Sequence, residues 1–331
     1  MNKRSFSARY LLLAIRGAAA LVAALAPLPV AAQNYPTRNI TIVVGYAPGG
    51  TGDFIARIVG NKLAEKFNRT VVVENRAGAS GAIAAQFVVN SVPDGHTILA
   101  GQTPEMAINP HFLKGNVDVE RDLLPIALGG VVPLALVVPK DAPYSTVAEL
   151  LKAAQTPKGL LFASAGTGTP GHFAGEVLKL ASHGNMTHVP YKGASPALAD
   201  LLGSHVDFYF PGFPAALPFV KNKQMKMLAV STAARAATAP DIPTVSEAAG
   251  IKDFDFSLWG GFFAPRGTPK AVISRLNAAI NEVLALPDIK TKMADAGADI
   301  RPMSVDEFAA FMKRESEKYQ RIIQETGIKP E

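Results

Sequence analysis

The chain has 331 residues, 48% of them hydrophobic and 18% charged, with 25 prolines, 28 glycines and no cysteine. This is globular composition, long enough for one large domain or two modest ones, and it excludes disulfides, thiolate nucleophiles and cysteine-ligated zinc. The formal net charge of +6 is concentrated at the start: setting aside Lys3, Arg4, Arg9 and Arg16 leaves 29 basic against 27 acidic residues, a net of +2, and without a long basic run or aromatic–basic interleaving the chain lacks the footprint of a nucleic-acid binder.

Residues 1–32 read as a secretory signal peptide, with a basic start, an apolar stretch from Gly17 to Val30, and small residues Val30-Ala31-Ala32 before Gln33. The apolar run is too short and too broken by proline to span a bilayer. Cleavage is expected after Ala32, with the mature chain in the periplasm. Lys3-Arg4-Ser5-Phe6 only faintly echoes a twin-arginine signal, so the ordinary export route is expected.

Past Tyr35-Pro36, short apolar runs alternate with helical periodicity. Ile40–Tyr46 is predicted as a strand and Asp53–Phe67 as a helix, with Ile55, Val59, Leu63 and Phe67 four apart. Strand Val71–Val73, helix Ala82–Asn90 and strand Thr97–Gly101 follow, a rhythm that implies right-handed βαβ units. The rhythm resumes with Ala135–Val138, Thr146–Ala154, Leu160–Ala163, His172–Ala181, Thr187–Val189, Pro196–Leu202 and Val206–Phe210. Met225–Val230 is a further strand, and the chain beyond it is expected to be mostly helical. Thr146 with Glu149 and Ser304 with Glu307 have capping-box spacing, and Thr268-Pro269 reads as a cap before a first-turn proline. The expected fold class is α/β: two domains with parallel or mixed sheets and a cleft between them. Residues 33–133 plus 232–331 form domain 1 and 134–231 domain 2, with crossing strands near 133–139 and 225–231.

Ligands in such sheets sit where strands run into helix N-termini, whose unpaired amides and partial positive charge suit anions. Gly49-Gly50-Thr51-Gly52 is at such a point. No lysine follows, so it is not a P-loop; a tight packing turn and an anion site both fit. Ser164-Ala165-Gly166-Thr167-Gly168-Thr169-Pro170-Gly171 is a second such loop. It matches G-x-G-x-x-G only formally, because Pro170 interrupts it and no acid follows the next strand to hold a ribose. Two hydroxyl-rich loops facing one cleft would clamp a small carboxylate. Lys192, in Pro190-Tyr191-Lys192-Gly193, either closes on an anion or is a solvated loop lysine.

Nothing in the sequence supports catalysis. G-x-S-x-G is absent, and the six histidines show neither H-x-H nor H-E-x-x-H spacing for zinc. His172 near Ser164 and Thr167 is the one pairing with nucleophile–base chemistry, and it reads better as a polar residue at a helix start. No catalytic residue, metal or cofactor is expected.

Several segments together resemble the tripartite tricarboxylate transporter substrate-binding proteins, the Bug-type family. They are Tyr35-Pro36; Gly45 to Asp53 with Arg57; Val73-Glu74-Asn75-Arg76; Pro93-Asp94-Gly95-His96-Thr97; His188 to Gly193; Arg235 with Pro240-Asp241-Ile242-Pro243-Thr244; and Trp259-Gly260-Gly261 leading to Ala264-Pro265. The resemblance spans essentially the whole mature chain. It implies a periplasmic-binding-protein fold of two domains that closes on a carboxylate and delivers it to membrane permease subunits, as a monomer. It also implies that Tyr46, Ala47, Pro48, Gly49, Gly50, Thr51 and Asp53 form one ligand loop. Ser164, Ala165, Gly166, Thr167 and Thr169 form the other, with Pro190, Tyr191, Lys192 and Gly193 on the same wall and Gln102-Thr103 at a first-domain strand end. Asp53 is expected to order its loop rather than touch the carboxylate. A role as a ligand-sensing subunit shares the same fold and pocket; a periplasmic hydrolase is a more distant alternative. The sequence departs from the family pattern at Gln102-Thr103-Pro104-Glu105, where small hydroxyl residues are usual, and in the aromatic run from Asp207 to Phe213. Phe208 and Phe210 alternate with Tyr209 along a strand, and Phe210, Phe213 and Tyr46 either favour an aromatic carboxylate or pack the core.

Overall fold

Ile40–Val44 (β1) reads Ile-Thr-Ile-Val-Val, an unbroken β-branched run with four of its five residues buried, as expected of a strand covered on both faces. The computed structural model describes residues 35–113 and 117–329; the expected signal peptide lies outside the described residues. Val71–Asn75 (β2) and Thr97–Gln102 (β3) flank β1, both parallel to it. Leu123–Pro133 (β4) and Ser257–Pro265 (β10) complete the sheet in the order β2-β1-β3-β10-β4, with β10 antiparallel to both neighbours. The return segment, expected to be mostly helical, thus contributes a nine-residue strand to the sheet.

The second sheet repeats the plan. Ala135–Pro139 (β5), Leu160–Ser164 (β6), Met186–Pro190 (β7), Phe208–Tyr209 (β8) and Met225–Val230 (β9) lie in the order β7-β6-β8-β5-β9. β6, β7 and β8 run parallel and β5 is antiparallel to β8 and β9. The chain passes from β4 into β5 through Leu134 alone, and β9 pairs with β5 from Ala135↔Val230. At that junction Ser231 Oγ accepts the Leu134 N–H at 2.9 Å and donates to the Phe256 carbonyl at 2.6 Å, which ties the two connections together.

Several helix starts are corrected. The first helix runs Thr51–Phe67, capped by Gly50, and begins two residues before the expected Asp53. The helix expected from His172 is Pro170–Ser182, with Thr169 as its cap. Thr146 caps Val147–Ala154, but Glu149 accepts from the Ser145 N–H, so the reciprocal half of that box is missing. Thr268 is no cap: its hydroxyl donates to Pro265 and the helix starts at Lys270. Ser304 and Glu307 make the full box, as do Thr244 and Glu247 at a helix not anticipated. Aromatic alternation is as expected, with Phe208 and Phe210 in one buried cluster and Tyr209 in another.

Candidate functional site

The carboxyl ends of β1, β3, β6 and β8 lead to one narrow cavity of about 470 Å³ of interatomic space. Four helix N-termini meet there. Gly50, Thr51 and Gly52 open the helix Thr51–Phe67; Thr169, Pro170 and Gly171 open Pro170–Ser182; Ala194 opens Ala194–Leu202; and Gly212 caps Phe213–Lys221. First-turn amides have no intrahelical acceptor, and the partial positive ends of four helices point at the same space. Among the described residues no lysine or arginine lines it. Its remaining walls are Tyr46, Gln102, Pro104, Leu134, Ala165, Tyr209, Phe210 and Leu258.

The loop after β1 is held from behind. Asp53, 5% exposed, accepts from the Gly49 N–H at 3.0 Å, from Arg57 and from Asn75. Burial alone would raise its carboxyl; the hydrogen bonds from Arg57, Gly49 and Asn75 outweigh it and hold the pKa below the usual value. Asp53 therefore orders the loop and consumes the Gly49 amide, while Gly50, Thr51 and Gly52 at the helix start line the cavity. Thr51 Oγ1 is buried without a partner, where the bare Cα of Gly212 leaves it room: a Cβ there would come within 2.3 Å. A buried hydroxyl left without a partner calls for an explanation.

The profile of the Tripartite tricarboxylate transporter family receptor matches residues 55–328. The chain belongs to this receptor family. The receptor is 38% identical over 292 residues to the UPF0065 protein in the tcbD-tcbE intergenic region of Pseudomonas sp. (strain P51), covering 88% of this chain and 87% of that one. An R. palustris protein solved with adipate superposes with a TM-score of 0.87 at 31% identity, covering 90% of this chain and all of that one. MatC from Rhodopseudomonas palustris, with bound malate, gives 0.82 at 29% identity over 87% of this chain and all of that one.

Of the receptor's expected site residues, Tyr46, Gly50, Thr51, Gln102, Ala165, Thr169 and Phe210 line this cavity. Gly166, Thr167, Pro190, Tyr191 and Lys192 instead line a more open neighbour of about 640 Å³, which shares Tyr46 and Ala165 with the first. The others face neither. Ala47 donates its N–H to the Lys192 carbonyl at 3.3 Å, and the Pro48 carbonyl accepts from Ser195 Oγ, so this loop is stitched to the β7 loop. Gly193 makes room for that contact, because a Cβ on it would lie 2.9 Å from Ala47 N. Thr103 is spent on the Trp259 backbone, whose N–H it accepts at 2.8 Å. Phe213 is buried core against Gly297.

Ser164 Oγ is also committed: it accepts from the Gly166 N–H at 3.1 Å and lies 2.6 Å from His188 Nε2. His172, at its helix start, accepts from the Gly168 N–H and packs on the His188 ring. Burial, with a smaller push from the Lys179 charge, lowers His188 to about 4, so it is neutral at ordinary pH. The pair shapes the β6 loop from beneath. Gly52, Pro170 and Gly171 belong to the two loops expected to face the cleft, and the wall residues not anticipated are Pro104, Leu134, Ala194, Tyr209, Gly212 and Leu258. The helix starts at Ala194 and Phe213 were the missing signal, since Gly193-Ala194 and Gly212-Phe213-Pro214 each put a bare residue before a helix.

Proposed function

We propose that this receptor captures a small carboxylate in the periplasm and hands it to the permease subunits of a tripartite tricarboxylate transporter. The observation that carries the reading is the convergence of four helix N-termini and the orphaned Thr51 hydroxyl on a cavity without a basic side chain. Such a site stabilises an anion through several neutral donors rather than an arginine clamp. Leu134, Leu258, Tyr209 and Phe210 supply an apolar lining for a hydrocarbon body, and the two R. palustris relatives were solved with dicarboxylates. Capture works by closure of two domains, 33–133 plus 232–331 and 134–231, about the connections at Leu134 and Ser231. Among the described residues no helix is long and apolar enough to cross a membrane.

A thermal-shift screen of the mature chain against aliphatic and aromatic mono-, di- and tricarboxylates, amino acids and nicotinate tests this. A true ligand at about 100 times its Kd stabilises by roughly 2.7 kcal/mol, a shift of a few degrees. Silence across the panel after unfolding, dialysis and refolding would sink the reading.

A further inference from the structure

Glu105 is a carboxyl group buried beside the proposed anion site, in the π-helical turn Pro104–Ile108. Its Oε1 accepts the Gln102 N–H at 2.9 Å, and its Oε2 lies 3.1 Å from the Tyr46 hydroxyl. The Gly81 backbone closes another side, where a Cβ would come within 2.6 Å of the Glu105 carboxyl carbon. The titratable groups facing the pair are the two partners themselves and Tyr209, which acts on Tyr46 from the end of β8. Among the described residues no cationic side chain pairs with Glu105. Burial pushes the carboxyl up to about 8, with the hydrogen bonds from the backbone and Tyr46 offsetting only part of that. Burial, together with Glu105, keeps Tyr46 neutral as well.

A neutral carboxyl carries its proton on one oxygen. Because Oε1 already receives an N–H, the proton belongs on Oε2, where it donates to Tyr46 Oη. The hydrogen of the Tyr46 hydroxyl is then released to another acceptor, and Tyr46 lines both cavities. We propose that Glu105 is a positioning residue for ligand recognition, donating to Tyr46 so that Tyr46 O–H serves an oxygen of the bound carboxylate. The inference rests on the carboxylate-receptor reading. When Glu105 loses its proton, Tyr46 must donate back to it, so the site loses a donor and gains a negative charge at the same moment. Binding therefore takes up a proton at high pH.

Calorimetric titration of the wild type with malate, adipate, benzoate and the strongest acid of the thermal panel, from about pH 6.5 to about pH 9.5, tests this. Malate, adipate and benzoate are essentially fully ionised across this range, and the panel acid is included only where none of its own groups titrates there, so the slope belongs to the protein. The wild type is expected to hold its affinity to about pH 7.5 and to lose about tenfold per pH unit above 8. Glu105→Leu and Tyr46→Phe lose about tenfold or more at neutral pH. Glu105→Gln, whose amide donates to Tyr46 and accepts from Gln102 as the neutral acid does, recovers most of that loss and flattens the profile. Carbon-13 NMR of the wild type adds a reading that needs no ligand: the carboxyl resonance missing from Glu105→Gln titrates near 8. A flat wild-type profile, a Glu105→Gln profile with the wild-type slope, or titration of that resonance in the ordinary carboxylate range overturns the inference alone. Failure of every acid to bind the wild type at any pH overturns the carboxylate reading and this inference with it.

Discussion

A buried hydroxyl without a partner costs stability, and Thr51 Oγ1 is one, at the wall of the cavity. The cost is explained if a ligand oxygen completes the bond. Thr51→Val keeps the shape and removes the donor. The ligand-free protein should be as stable as wild type or more stable by about 1 kcal/mol, while affinity for the carboxylate falls about tenfold or more. Equal affinity in the two proteins would show that the hydroxyl serves something else. Glu105 makes a second residue-scale prediction. Its carboxyl is raised from 4.5 to about 8 in the folded state, so between those values the folded chain holds a proton that the unfolded chain has released. Its contribution to stability is therefore greatest below about 4.5 and is lost as pH rises through about 8. Urea unfolding of wild type and Glu105→Gln at several pH values isolates it, because other groups cancel in the difference. The stability of wild type relative to the variant should decline across that window; a constant difference would place the carboxyl's titration elsewhere.

At the scale of elements, the loop–helix junctions were the legible part. Gly49 to Asp53 and Ser164 to Gly171 follow apolar strand runs, and density of glycine at such points has few structural explanations. The helix boundaries slipped because the start at Thr51 has a glycine cap with no side-chain signal, and that at Pro170 is capped by a threonine inside the glycine loop. β4 and β10 were hidden for a packing reason. Gly129-Gly130 and Gly260-Gly261 interrupt their apolar pattern, yet a Cβ at Gly129 would meet Ile55 at 2.6 Å and one at Gly261 would meet Phe308 at 2.3 Å. These glycines let helices press onto the strands, information that resides in the partners and not in the strand's own sequence. Gly52 is tight in the same way: its absent Cβ would stand 2.5 Å from the end of the Gln102 side chain. Gly52→Ala should fold normally, since alanine favours the helix, but should displace Gln102 and weaken binding several-fold. Circular dichroism and calorimetry together check both halves; unchanged affinity would mean that Gln102 is not part of the recognition surface.

For the whole molecule, the double βαβ rhythm and the return of the chain to the first sheet were legible. The pairing of the connections was not, because it depends on contacts between residues far apart in sequence. Ser231 alone bridges the backbone of Leu134 to that of Phe256. Ser231→Ala strands a buried N–H and a carbonyl and should cost about 1–3 kcal/mol in chemical unfolding; a smaller loss would mean that the junction is held by strand pairing alone. Under the proposed reading, the same architecture lets recognition do without a cationic side chain. Four helices from two sheets each lend a partial charge, and none can be supplied by a single loop.

The most direct measurement is a calorimetric comparison of the strongest acid in the thermal panel with its own primary amide. The two have nearly the same shape and differ in the charge that the proposed site would receive. The account predicts saturable binding of the acid and a loss of about a hundredfold or more for the amide, in line with hydrogen bonds to a charged group. Equal affinity for acid and amide would contradict it, because the converging helix N-termini would then have no part in choosing the ligand.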